Sequence, residues 1–194
     1  MNFRIVLCAL RNCTITQCGL IKNDWTDVTL GGVKLISSTV DHLRAKSLHI
    51  YDTALTGAIF FEATMNGSTW HAVSGRHCQF FRCELTESVW RSVSLPHASF
   101  KGAQLRHASF TECCMLGTDF SNIAAHHAVF YGSDISGSNF SHADLTNCTF
   151  TKNCADGVRV HGAMVGQLNH DATWRNVIPT DERLLASERF DPTR

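Results

Sequence analysis

From Ala98 to Phe150 the chain places an apolar side chain at every fifth residue: Phe100, Leu105, Phe110, Met115, Phe120, Ala125, Phe130, Ile135, Phe140, Leu145 and Phe150. A period of five fits neither the 3.6 of a helix nor the 2 of a plain strand, so the repeating unit must contain a bend. The same phase extends backward through Leu95, Trp90, Leu85, Phe80, Trp70 and Phe60 to Leu20, Ile15, Leu10 and Ile5, and forward to Val160 and Val165. Nothing is inserted or deleted over that span. Gly75 is the one centre without a side chain, and Ala45, Ala125 and Ala155 are small.

Two further slots share the period. Two places before each centre stands a small residue, and seven of the nine cysteines (Cys8, Cys13, Cys18, Cys78, Cys83, Cys113 and Cys148) fall there, leaving only Cys114 and Cys154 outside. A small hydrophobe suits a cramped inward corner, so these cysteines are expected as buried thiols rather than metal ligands or disulfides. Two places after each centre is a turn slot that holds nine of the thirteen glycines, as at Gly67, Gly102 and Gly137, where the chain must bend sharply.

The pentads ASFKG, AQLRH, ASFTE, SNFSH and ADLTN resemble the pentapeptide-repeat family. That resemblance covers roughly residues 3 to 165 and implies an all-β fold, a right-handed quadrilateral β-helix in which four pentads make one square coil. Residues 20 apart then stack. The sequence supports the square independently. One column reads Leu20, Val40, Phe60, Phe80, Phe100, Phe120, Phe140, Val160, and the opposite one Leu10, Leu30, Ile50, Trp70, Trp90, Phe110, Phe130, Phe150. The two intervening columns are aliphatic or small. About eight coils at the spacing of β-strands give a rod roughly 40 Å long. Around Leu43, Ala45, Leu48 and Ile50 leucine replaces the small inward residue, which predicts a distorted coil still in phase.

Two units are expected: the β-helix over residues 1–165, and a tail over 166–194 that caps the last coil or dimerises. In the tail the spacing predicts a short helix near 180–190, with Thr180 as N-cap and Arg189 near its end. Trp174, Ile178, Leu184, Leu185 and Phe190 are its candidate partner-binding or dimerisation residues. The first coil, with Ile5, Leu10, Ile15 and Leu20, is expected to expose apolar lumen and free strand edges that a partner, a second subunit or the initial residues must cover.

Chemistry has little purchase in this pattern. No nucleophile motif, zinc helix motif, phosphate loop or dinucleotide fingerprint occurs, and a regular rod lacks a deep pocket, so the chain is read as not an enzyme and as needing no cofactor. Most of the eleven histidines take outward positions, and the 20-residue register stacks Glu87, His107 and His127 along one edge. These three are the metal-ligand candidates, set against a plain solvated edge.

Charge bears on partners. Residues 1–165 carry 13 basic and 12 acidic side chains. The family's quinolone-resistance and toxin-immunity members are acidic rods that imitate duplex DNA and occupy the DNA-binding saddle of gyrase, and this balance departs from them. No direct nucleic-acid binding is expected. No apolar run is long enough to span a bilayer, and the start lacks a convincing signal peptide, so the chain is expected in the cytoplasm, with secretion by a signal-less route as the alternative. The leading reading is a bacterial interaction scaffold that binds a protein through a flat face or an open end. Its rival is a DNA-mimicking protector of gyrase, and a homodimer through the tail is the alternative to a cap.

Overall fold

The computed structural model describes residues 4–6, 8–171 and 174–188. It is a parallel β-solenoid of about eight turns with one short C-terminal helix. Up to Phe150 the described strands pair in parallel at a step of 20 residues, as in Arg4↔Asp24, Leu30↔Ile50, Phe60↔Phe80 and Phe110↔Phe130. Four walls result, numbered by their centres: wall one through Trp25 and Leu105, wall two through Trp70 and Phe110, wall three through Leu35 and Leu95, and wall four through Phe60 and Phe100. Wall two forms a continuous nine-stranded sheet from Ala9–Arg11 to Asn169–His170. Where strands shorten to single bridges, as from Arg44↔Thr64 to Asp144↔Met164 on wall one, the step of 20 holds.

The centres and the small slots are the core. From Trp25 to Ala155 they form one buried cluster, with Phe80, Trp90, Phe100, Phe110, Phe120, Phe130, Phe140 and Phe150 all fully buried. Along wall four Phe60, Phe80, Phe100, Phe120 and Phe140 stack face to face at 4.9, 4.7, 5.2 and 4.9 Å. Trp70, Trp90, Phe110, Phe130 and Phe150 do the same along wall two at 4.4, 5.6, 4.8 and 4.6 Å. Across the lumen the columns meet edge to face, as in Phe80 and Trp90 at 5.4 Å and 86°. Each ring therefore takes both geometries that the aromatic quadrupole favours.

Three local rules follow from this packing. First, where a centre is tryptophan its indole needs an acceptor inside a dry lumen. Trp70 Nε1 donates to Ser68 Oγ and Trp90 Nε1 to Ser88 Oγ, both at 2.8 Å. Second, a polar atom in the small slot can reach back to a carbonyl 23 residues earlier: Cys78 to Leu55 O, Cys148 to Ala125 O, Ser138 to Met115 O and Asn153 to Phe130 O. Third, positive φ in the turn slot is not reserved for glycine. Asp27 (51°), Ala72 (51°), His97 (57°) and Asn147 (59°) adopt it as Gly67 (65°) does, because the ladder above and below holds the bend wherever it falls.

The irregular coil stays in phase, with Trp25↔Ala45 still 20 apart. Leu43 and Leu48 are buried on either side of half-buried Ala45, so large and small have exchanged slots. Gly75 answers to a close approach rather than to a bend. A Cβ there would lie 2.8 Å from both Cys78 Sγ and the Leu55 carbonyl carbon.

The ladder does not end at Val165, which corrects the expected boundary. Phe150 pairs with His170, and after a one-residue contraction Ala155 pairs with Trp174 and Arg159 with Ile178. The contraction breaks the ruler that made earlier coils legible. No helix among the described residues is long and apolar enough to cross a membrane.

Candidate functional site

At the C-terminal end the aromatic stack stops and Trp174 closes it. Its ring meets Phe150 edge to face at 5.0 Å and lies 5.7 Å from His170. Ala155, one coil below, is small enough to leave that space. Trp174 Nε1 is buried without a hydrogen-bond partner among the described residues. Trp25 Nε1 is likewise buried without a partner among the described residues, and neither tryptophan has a serine two places before it in the sequence.

The helix spans Glu182–Glu188 and buries none of its residues. Its N-cap is Asp181, not Thr180: Asp181 Oδ1 accepts from the backbone N–H groups of Arg183 (3.0 Å) and Leu184 (3.1 Å). Thr180 is used elsewhere, its Oγ1 accepting from Gly162 N at 3.1 Å. The helix lies by the corner between walls four and one, where Glu188 meets His142 and His161. Leu185 reaches this corner, and a Cβ on Gly162 would come within 3.2 Å of its Cδ1. Leu184 stays 49% exposed, and Met164 (57%), Val165 (46%) and Ile178 (47%) in the last coil are exposed to a similar degree. Phe190 and Arg189 lie outside the described residues.

At the other end Leu10, Ile15 and Leu20 are only half-buried, whereas Trp25, Leu30, Leu35 and Val40 in the next coil are buried. Ile5 pairs through its backbone with Trp25, and its side chain lies outside the described residues.

The histidines fall into two kinds. His107 and His127 are parallel at 5.0 Å, and His77 and His97 stack at 5.7 Å. Glu87 is not gathered with the former pair. Among the described residues the one group of three with converging ligand atoms is instead His142, His161 and Glu188. Glu188 lies beyond the last regular repeat, so no register counted along the rod could have brought it to them. It lines, with Asn122, His142, Gly162 and Leu185, a cleft of about 380 Å³.

The thiols offer no reactive centre in the core. Burial pushes Cys78, Cys83 and Cys148 up to about 12 and Cys113 up to about 11, so all four stay protonated near neutral pH. All nine cysteines are free. The surface grooves are open and of mixed charge; one of about 600 Å³ is lined by Lys22, Asp24, His42, Arg44, Glu62 and Thr64. The walls are mixed as well. Wall one carries Asp24, Arg44, Lys46, Glu84, Arg106 and Asp144; wall four carries Asp41, Lys101, Asp119 and Arg159; wall two shows Arg11 and Arg91 among threonine, valine and tyrosine.

Fold and surface together define a repeat scaffold, a solenoid whose side chains are spent on stacking coil upon coil. Residues 78–117 and 113–151 match the sequence profile of the family Pentapeptide repeats (8 copies), so this central stretch of the chain is built of pentapeptide repeats. Its fold is similar to that of HetL, a pentapeptide repeat protein involved in heterocyst differentiation regulation from the cyanobacterium Nostoc sp. strain PCC 7120. The TM-score is 0.50 at 15% identity, over 91% of this chain and 86% of that one. Trypsin-treated QnrB1, a plasmid-mediated fluoroquinolone resistance protein, aligns with a TM-score of 0.46 at 15% identity over 97% of each chain. No curated protein sequence matches the chain.

Proposed function

We propose that this protein is a non-catalytic interaction scaffold that binds another protein through the C-terminal end of its rod. The observation that carries this reading is the exposure of Met164, Val165, Ile178 and Leu184, each between 46% and 57%, in the last coil and the helix that follows it. Apolar side chains this exposed in the last coil and its helix, more so than those along the rod, suit a partner surface. Trp174 and Leu185 are included in the proposed surface. Family members generally serve structural and interaction roles, which agrees with it.

Gyrase protection by DNA mimicry is the reading that the charge layout disfavours, because acidic and basic side chains alternate along walls one and four. The test compares the full chain with Val165→Asp/Ile178→Asp, in which both substitutions fall on exposed positions. Cross-linking and affinity capture from the native host, with gyrase subunits scored, should recover a partner with the first and lose it with the second. A second copy of this chain as that partner would be seen directly by light scattering. Equal capture by both proteins, or recovery of gyrase insensitive to the substitutions, would remove the end surface as the binding site.

A further inference from the structure

We infer that His142, His161 and Glu188 form a binding site for a zinc-class divalent cation that clasps the C-terminal helix to the edge of the rod. His142 Nε2 and His161 Nε2 lie 3.4 and 3.3 Å from Glu188 Oε2, and the ligand atoms of all three are within 4.8 Å of one another. Bond lengths of about 2.0–2.1 Å around a tetrahedral zinc ion put neighbouring ligands about 3.3 Å apart. A direct charge-assisted hydrogen bond would draw the same atoms in to about 2.7–2.9 Å. The two separations from Glu188 match the edge of a shared coordination sphere.

Ring orientation separates this site from the other histidine pairs. His142 and His161 are perpendicular, with centroids 5.2 Å apart and an interplanar angle of 90°. Both nitrogens can therefore point at one carboxylate, whereas the parallel faces of His107 and His127 converge on nothing. Two imidazoles and one carboxylate select a borderline metal over calcium or magnesium, which take oxygen donors, and the cleft of about 380 Å³ leaves a position for water.

One contact opposes binding. Asp181 N–H donates to His161 Nδ1 at 3.1 Å, which places the proton of the neutral ring on Nε2. For Nε2 to bind a cation that proton must move through solvent to Nδ1, which then faces the Asp181 amide, donor against donor. Losing that hydrogen bond lowers the affinity by about tenfold. Three protein ligands outweigh a loss of that size, and the Asp181 amide becomes a reporter of binding.

The test titrates zinc into full-length, chelator-treated and fully reduced protein by calorimetry, with cobalt as the spectroscopic probe. One ion per chain should bind, cobalt should show d–d bands without a thiolate charge-transfer band, and the Asp181 amide resonance should shift. Hydrogen exchange across residues 182–188 should slow. Glu188→Gln and His161→Gln should each weaken binding by at least about tenfold, and His77→Gln, at a separate edge, should leave it unchanged. Absence of binding, a thiolate band, or an isotherm indifferent to Glu188→Gln and His161→Gln would overturn the site. Circular dichroism of each variant keeps a folding failure from passing as a lost ligand.

Discussion

Ser88→Ala is a one-atom test of how the lumen is held together. Ser88 and Trp90 are both fully buried, and Ser88 Oγ is the acceptor for Trp90 Nε1 at 2.8 Å. Removing the hydroxyl leaves an indole N–H in an apolar stack with no water to replace it, which costs about 1–3 kcal/mol. In a chain of this size each kcal/mol lowers Tm by about 2–4 °C. Trp90→Phe alone also destabilises, because it leaves space in the stack beside Trp70 and Phe110 and strands the Ser88 hydroxyl. The double variant Ser88→Ala/Trp90→Phe recreates the Ala-x-Phe unit already present at Ala98–Phe100 and Ala108–Phe110. It should therefore lose less than the sum of the single losses by about 1–2 kcal/mol, measured as a coupling energy from urea unfolding of all four proteins. Additive losses would refute the reasoning, since the serine would then be present for its volume alone.

Glycine substitutions should divide by cause. Gly67→Ala, with φ of 65° and nothing within 4 Å, should cost about 1–2 kcal/mol from backbone strain alone, while Gly75→Ala, which drives a Cβ into the neighbouring coil, should cost more; equal losses in urea melts would contradict this. A colorimetric thiol reagent at mildly alkaline pH should label exposed Cys18 and Cys154 in the folded protein, and Cys78, Cys83, Cys113 and Cys148 only after unfolding; prompt labelling of the buried four would show that the lumen opens readily. Burial alone would raise the Asp144 carboxyl, but the hydroxyl and amide of Thr146 together with His126 and Arg106 hold it below the ordinary carboxylate value. A depressed folded value means that its stabilisation is complete above the unfolded value of about 3.9 and fades as pH falls through the folded one. Asp144→Asn should therefore flatten the acid limb of the pH–stability curve, and an unchanged limb would show that these partners do not favour the ionised form.

The residues themselves separate what was legible from what was not. Phe100 and Phe120 lie 20 apart in sequence and 5.2 Å apart between ring centres, so counting was enough to place them. Trp70 with Ser68 was equally countable, yet its meaning needs the dry lumen around it. The tail was harder. Asp181 rather than Thr180 caps the helix because the Thr180 hydroxyl is held by the Gly162 amide, 18 residues away in sequence. The extension of the ladder to Ile178 was hidden by a single missing residue.

The sequence alone determined the unit of five, and its aromatic columns 20 apart agree with the four-pentad coil that the resemblance implies. Only the tertiary structure decided what happens where the period fails. Trp174 plugs the end, and Glu188 swings back to His142 and His161 through contacts that no spacing encodes. The physical reason is the same in both cases. Repetition makes distance in space a function of distance in sequence, and the C-terminal end is where that relation is lost.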